Sequence, residues 1–185
     1  MRRLDPRWLI VFLANLLLCW LTGLANHYLS RFSLPGIPYL SIHLYLGGLF
    51  VVYSALRLDP KHGVIAIILT GLMFDALEPV PYGTHVVLLG LVHATLLYGR
   101  RRFPREGGVF GIVLAQLCNL FLYIALSFLM VGASPVPAEA WLRIFFDLLA
   151  SQVVILLIAP WFIALQEQTM RFAQIHPETG RRAML

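Results

Sequence analysis

His43, Asp75, His85, His93, Arg143 and Asp147 all lie inside or at the edges of long apolar stretches. Ionisable groups are costly in hydrocarbon, so in a lipid-dissolved chain they mark the places where function is sought first. Asp75 and Glu78 stand just before a short Pro/Gly turn, and His85 stands just after it. Such a trio can cap helix ends, bond across the turn, or hold an ion or a proton. Arg143 and Asp147 are four apart, the spacing that puts both on one helical face as a local ion pair. His93, between Gly90 and Ala94, points to an interhelical hydrogen bond rather than a ligand.

Reactive chemistry is hard to assemble from the rest. Cys19 and Cys118 lie in apolar runs with neither CxxC nor metal-ligand spacing, and read as packing residues. There is no HExxH, no GxSxG and no phosphate-cradling glycine loop. Ser127 and Ser151 have no base in sequence reach. The expectation is a non-enzymatic protein with no catalytic residue, no metal and no cofactor.

The elements that must position these groups are set by lipid. The chain is 59% apolar and 12% charged, with mean hydropathy +0.80; a soluble domain carries about 25% charged residues. All lysines and arginines except Arg31 and Arg143 fall before the first apolar stretch or after the second, fourth and sixth. A chain weaving through a bilayer with both ends in the cytoplasm produces that alternation. The net charge of +5 then reflects attraction to anionic headgroups rather than to nucleic acid. The fold expected is an all-α polytopic membrane bundle of six transmembrane helices in one domain. The spans fall at about 8–28, 39–56, 60–77, 83–99, 108–131 and 138–165, with a polar cytoplasmic tail over 168–185. The first run is too long for a signal-peptide core and reads as a retained span.

Turns at 33–38, 78–83 and 132–137 are rich in proline and glycine, and Asp59-Pro60 reads as a helix start with Asp59 at the N-cap. The third and fourth spans are short for a perpendicular crossing, which takes about 20 residues. A re-entrant hairpin would satisfy the charge pattern equally; two crossings keep Asp75, Glu78, Pro79 and Pro81 out of mid-membrane. Small residues recur four apart at Gly107, Gly111 and Ala115, and at Gly90 and Ala94. Such faces let helix backbones approach closely, either within the bundle or against another protein.

The segment from Asp59 to Arg102 contains Gly71 and Asp75 as G-x-x-x-D, then Pro81-Tyr82-Gly83, then an apolar helix closed by Arg100-Arg101-Arg102. This resembles the bacterial rod shape-determining protein MreD family, in which a helix bearing G-x-x-x-D leads through a short turn into another apolar helix. The resemblance implies a fold similar to the substrate-binding subunits of energy-coupling-factor transporters. It implies a non-enzymatic component of the cell-elongation and peptidoglycan-synthesis complex in the bacterial plasma (inner) membrane. The partners implied are a single-span protein like MreC, the peptidoglycan synthases, and the MreB cytoskeleton on the cytoplasmic side. In that setting Gly71 would permit close helix contact and Asp75 would hydrogen-bond near the outer turn. Pro81, Gly83, Gly90, Ala94, Arg143 and Asp147 complete the set of structural or interaction positions. The competing class is a vitamin- or metal-binding transporter subunit, whose pocket Asp75, Glu78, Tyr82 and His85 could line. Those subunits carry an A-x-x-x-A contact on the first helix, whereas Ala14 and Ala25 here are eleven apart. An intramembrane enzyme is the third class, and it lacks a nucleophile or metal set.

Overall fold

A computed structural model describes residues 7–31, 42–100, 108–131 and 138–172. The turns expected at 33–38 and 132–137, the small residue Gly107 and most of the expected polar tail lie outside them. The described residues are helical apart from short connections: α1 Arg7–Leu29, α2 Gly47–Arg57, α3 Pro60–Leu77, α4 Thr84–Gly99, α5 Gly108–Val131 and α6 Ala138–Phe172. Helices α1, α3, α5 and α6 are long and apolar enough to cross a membrane, while α2 and α4 are shorter. Large apolar side chains are turned outward along them, among them Trp20, Leu117, Leu157 and Trp161, the last 80% exposed. A water-soluble surface rarely carries apolar patches of that extent, whereas lipid is their natural solvent. The described residues are all-helical in class, and helices this long and apolar mark the chain as a membrane protein.

Burial is inverted relative to length. Every residue from Gly47 to Ala55 in the short helix α2 is buried, with Phe50, Val51 and Ala55 fully so. α2 packs on α5, α4, α3 and α6 and forms the central column of the bundle. Gly48 makes the closest of these approaches. A Cβ there would collide with the Ala115 carbonyl oxygen and stand 2.5 Å from the Asn119 backbone nitrogen. Of the small-residue row on α5, Ala115 therefore meets α2, while a Cβ on Gly111 would meet Ile163 of α6 at 3.3 Å.

The expectation of a continuous second span over 39–56 is corrected. Residues 42–46 are not helical, α2 begins only at Gly47, and residues 39–41 lie outside the described residues. Two causes combine: consecutive glycines weaken helix propensity, and side chains from other helices take backbone groups that a helix would pair internally. The sixth helix also exceeds its expected end near 165 and continues to Phe172. Its extra turns bury Gln166 and Met170, and Glu167 there reaches Arg57 of α2 at 3.3 Å. At the start of α3, Asp59 occupies the N-cap with Pro60 in the first turn, but the Asp59 side chain makes no capping bond.

Contacts sort the helix ends into two layers. Asn26 of α1, residues 43–45, Asp75 of α3, His85 of α4, Tyr123 of α5 and Asp147 of α6 gather at one end. The opposite end joins α1, α2, α3 and α6 through Val11, Tyr53, Leu58, Ala66 and Met170. There Arg100 donates to the Leu58 carbonyl at 3.1 Å. Successive helices thus run in alternating directions. Arg7, Arg57, Lys61, Arg100 and Arg171 belong to the second end, and Arg31 and Arg143 to the first.

Gly48→Ala is expected to destabilise the bundle by about 1–3 kcal/mol, the usual cost of overpacking. Gly23→Ala, where an added Cβ meets nothing within 4 Å, should leave stability unchanged or raise it by up to about 1 kcal/mol. Equilibrium unfolding of the two variants in mixed detergent micelles separates these outcomes.

Candidate functional site

Two polar constructions share the first end of the bundle. One encloses the irregular segment 42–46. The His43 N–H donates to Asp147 Oδ1 at 2.8 Å, and the Leu44 N–H donates to Asn26 Oδ1 at 2.7 Å. Asn26 Nδ2 returns a bond to the Leu44 carbonyl at 3.0 Å and lies 3.2 Å from His43 Nε2. The Tyr45 N–H donates to Ser151 Oγ at 2.9 Å, and the Gly48 N–H donates to Asn119 Oδ1 at 3.2 Å. Irregular backbone at membrane depth is tolerated only where protein or a cavity satisfies it. Here side chains of α1, α5 and α6 do so.

The other construction is the α3–α4 corner. Asp75 Oδ2 accepts from the Gly83 N–H at 2.8 Å, and Asp75 Oδ1 accepts from the His85 N–H at 2.8 Å. His85 Nδ1 lies 3.0 Å from the same Oδ1, with both side chains almost wholly buried. The carboxylate therefore caps the first turn of α4, where backbone N–H groups have no helical partner. Gly83 stands at φ 92°, a left-handed conformation that glycine adopts without penalty. Pro81 supplies its carbonyl to the Thr84 N–H and hydroxyl. Gly71 faces Val86 so closely that a Cβ would come within 2.7 Å of the Val86 Cα. Gly71, Asp75, Pro81 and Gly83 are thus joined in one corner, and Asp75 has little acceptor capacity left for proton or ion chemistry.

The other candidates are placed elsewhere. Arg143 Nε stands 3.7 Å from Asp147 Oδ2, an i,i+4 pair whose acidic member also holds the 42–46 segment. His93 is buried, with Nδ1 3.3 Å from Ser54 Oγ and its ring against Gly63. Among the described residues no neighbour stands within 4 Å of a Cβ built on Gly90, and Ala94 is exposed, so this small-residue face serves no close approach between the described helices. Tyr82 is 76% exposed, and of Asp75, Glu78, Tyr82 and His85 only Glu78 lines the cavity at this end of the bundle. Ser151 donates to the Asp147 carbonyl at 2.6 Å, and Ser127 donates to the Tyr123 carbonyl at 2.8 Å. Both cysteines are buried and free. Among the described residues no group of three His, Cys, Asp or Glu side chains is placed to hold a metal ion.

Neutral amides, absent from the charged and histidine candidates above, carry much of the polar framework. Asn15 Nδ2 donates to Thr70 Oγ1 at 3.0 Å, and Gln166 Nε2 donates to Asn15 Oδ1 at 3.3 Å, tying α1, α3 and α6 together. Gln116 and Gln152 exchange side-chain-to-carbonyl bonds at 3.5 and 3.1 Å between α5 and α6. The available signal was an amide inside each apolar run, a group that needs a partner in lipid as much as a charge does. Beside the 42–46 segment lies a cavity of about 290 Å³ between α1 and the end of α3. Compared with known proteins, the chain matches no family model, no curated protein and no solved structure.

Asp75→Asn retains one acceptor oxygen and presents an NH₂ group to one of the present donors. The loss expected is about 1–3 kcal/mol, the cost of a buried group left unsatisfied. Asp75→Leu, which abandons the Gly83 and His85 N–H groups together, should cost more. Unfolding midpoints of the two variants should therefore fall in the order wild type, Asn, Leu; equal midpoints would show that the corner is not held by this carboxylate.

Proposed function

We propose that this chain is a non-enzymatic membrane component of the bacterial cell-elongation machinery, resembling the MreD family and acting as a scaffold for a single-span partner resembling MreC. The observation that carries the reading is the α3–α4 corner. The glycine, aspartate and turn residues on which the resemblance rests are spent on geometry: Gly71 brings the helices together, and Asp75 and Gly83 fix the turn. A chain whose intramembrane polar groups are committed to holding helices is suited to presenting surfaces rather than transforming a substrate. Gly90 and Ala94, open along α4, offer one place where another helix can approach closely.

In this reading the chain crosses the inner membrane six times with both termini cytoplasmic, and its fold is similar to the energy-coupling-factor substrate-binding subunits. Residues 42–57 form one broken crossing. The eleven residues of α2 rise only about 16 Å, and the five irregular residues before them span at most about 17 Å more. The basic end of the bundle faces the cytoplasm, as the retention of Lys and Arg predicts, which puts the 42–46 segment and the α3–α4 corner toward the periplasmic side. MreB, where it takes part, would meet the basic end; the peptidoglycan synthases would be reached through the partner's periplasmic domain.

Depletion in a rod-shaped host is expected to round the cells, and affinity purification should recover a single-span protein with a periplasmic domain. Gly71→Leu, which drives a side chain into the Val86 backbone, should lose that partner together with a several-fold fall in membrane abundance, whereas Gly90→Leu, where an added Cβ meets nothing within 4 Å, should lose the partner at unchanged abundance. Unchanged cell shape together with a nutrient requirement would contradict the reading.

A further inference from the structure

Glu78 closes α3 beside the cavity of about 290 Å³, and its carboxylate makes no hydrogen bond or ion pair among the described residues. The rest of the wall has a consistent character. Tyr45, Phe50 and Phe74 form an aromatic cluster, with ring centroids 6.2 Å apart for Tyr45–Phe74 and 5.1 Å for Phe50–Phe74. Tyr45 is buried, and its hydroxyl has no hydrogen-bond partner. Thr22 Oγ1 donates to the Leu18 carbonyl at 2.8 Å, leaving its oxygen free to accept. The Asn26 amide, the wall's obvious donor, is already engaged with the Leu44 carbonyl and His43. What remains unspent is one carboxylate, the Thr22 acceptor and the Tyr45 hydroxyl, which can donate or accept, set in an otherwise apolar wall.

From these groups we infer that the cavity is a binding site for a small organic cation, a primary ammonium on a compact apolar or aromatic body. The carboxylate supplies the counter-charge, Thr22 accepts from an N–H, and the apolar wall of the cavity receives the body. A pocket near 300 Å³ lies at the small end of ligand sites and suits a ligand of this size. A bare metal ion fits poorly, because the described His, Cys, Asp and Glu side chains form no group of three around it. An anion would face Glu78. The proposal does not rest on the scaffold reading, since the Glu78 carboxylate and Thr22 take no part in the Asp75–Gly83–His85 contacts or in the open face of α4, although Phe74 of the cavity wall stacks on His85.

The test uses the full chain in lipid nanodiscs, with phenethylammonium as probe, 2-phenylethanol as its uncharged counterpart, and empty nanodiscs to subtract partitioning into lipid. Saturable binding of the cation is expected, at least about tenfold tighter than that of the alcohol. Glu78→Gln should erase that preference with the unfolding midpoint unchanged. Gly23→Phe adds bulk at the cavity wall, where a Cβ meets nothing within 4 Å, and should abolish binding while leaving the fold intact. No saturable binding above empty nanodiscs, equal binding of cation and alcohol, or undiminished preference in Glu78→Gln would each overturn the proposal.

Discussion

Peptide groups outside a helix cannot go unpaired in the interior of a membrane bundle, and the segment before α2 is where this chain meets that constraint. Each unsatisfied N–H or C=O costs several kcal/mol in hydrocarbon. The N–H groups of His43, Leu44, Tyr45 and Gly48 find Asp147, Asn26, Ser151 and Asn119. Because those side chains come from α6, α1 and α5, satisfying one short strip of backbone also fixes where three long helices stand. The buried column of α2 follows from the same arrangement. A helix that begins only after the strip is too short to face lipid along a full crossing, and it is enclosed by its neighbours instead.

Polar groups elsewhere in the bundle work by the same logic. Asp75 pairs the otherwise unpartnered first turn of α4, and the Asn15–Thr70–Gln166 chain and the Gln116–Gln152 exchange join helices whose apolar faces gain nothing from leaving lipid. Hydrogen bonds of this kind are individually modest, about 0.6 kcal/mol on average in membrane helices. Their value lies in direction, since they set rotation and register that dispersion alone leaves loose. Gly48 and Gly71 add the close backbone approaches that the polar contacts require. The outcome is a bundle cross-linked by side-chain hydrogen bonds at one end and apolar on its flanks, which suits a protein whose proposed role is to present surfaces.

Much of this was legible before any coordinates. Apolar runs and the alternation of basic residues located every helix, and the α3 and α5 boundaries at 60–77 and 108–131 coincide with those expected. The i,i+4 spacing of Arg143 and Asp147 gave their pairing. The break before α2 was not legible, because hydropathy is the same whether a buried strip is helical or irregular, and the Gly47-Gly48 pair alone does not announce a start. Nor could local patterns reveal that Asp147 reaches a peptide group 104 residues away. Gly90 and Ala94 illustrate the reverse: a spacing that signals close approach, on a face that none of the described helices approaches closely.

Hydrogen exchange of the full chain in lipid nanodiscs addresses the central claim most directly. If side chains of α1, α5 and α6 pair the strip before α2, the amides of His43, Leu44, Tyr45 and Gly48 should exchange as slowly as amides in the middle of α5, although the first three lie outside any helix. Exchange of those amides as fast as that of the exposed Tyr82 amide in the turn between α3 and α4 would contradict the account.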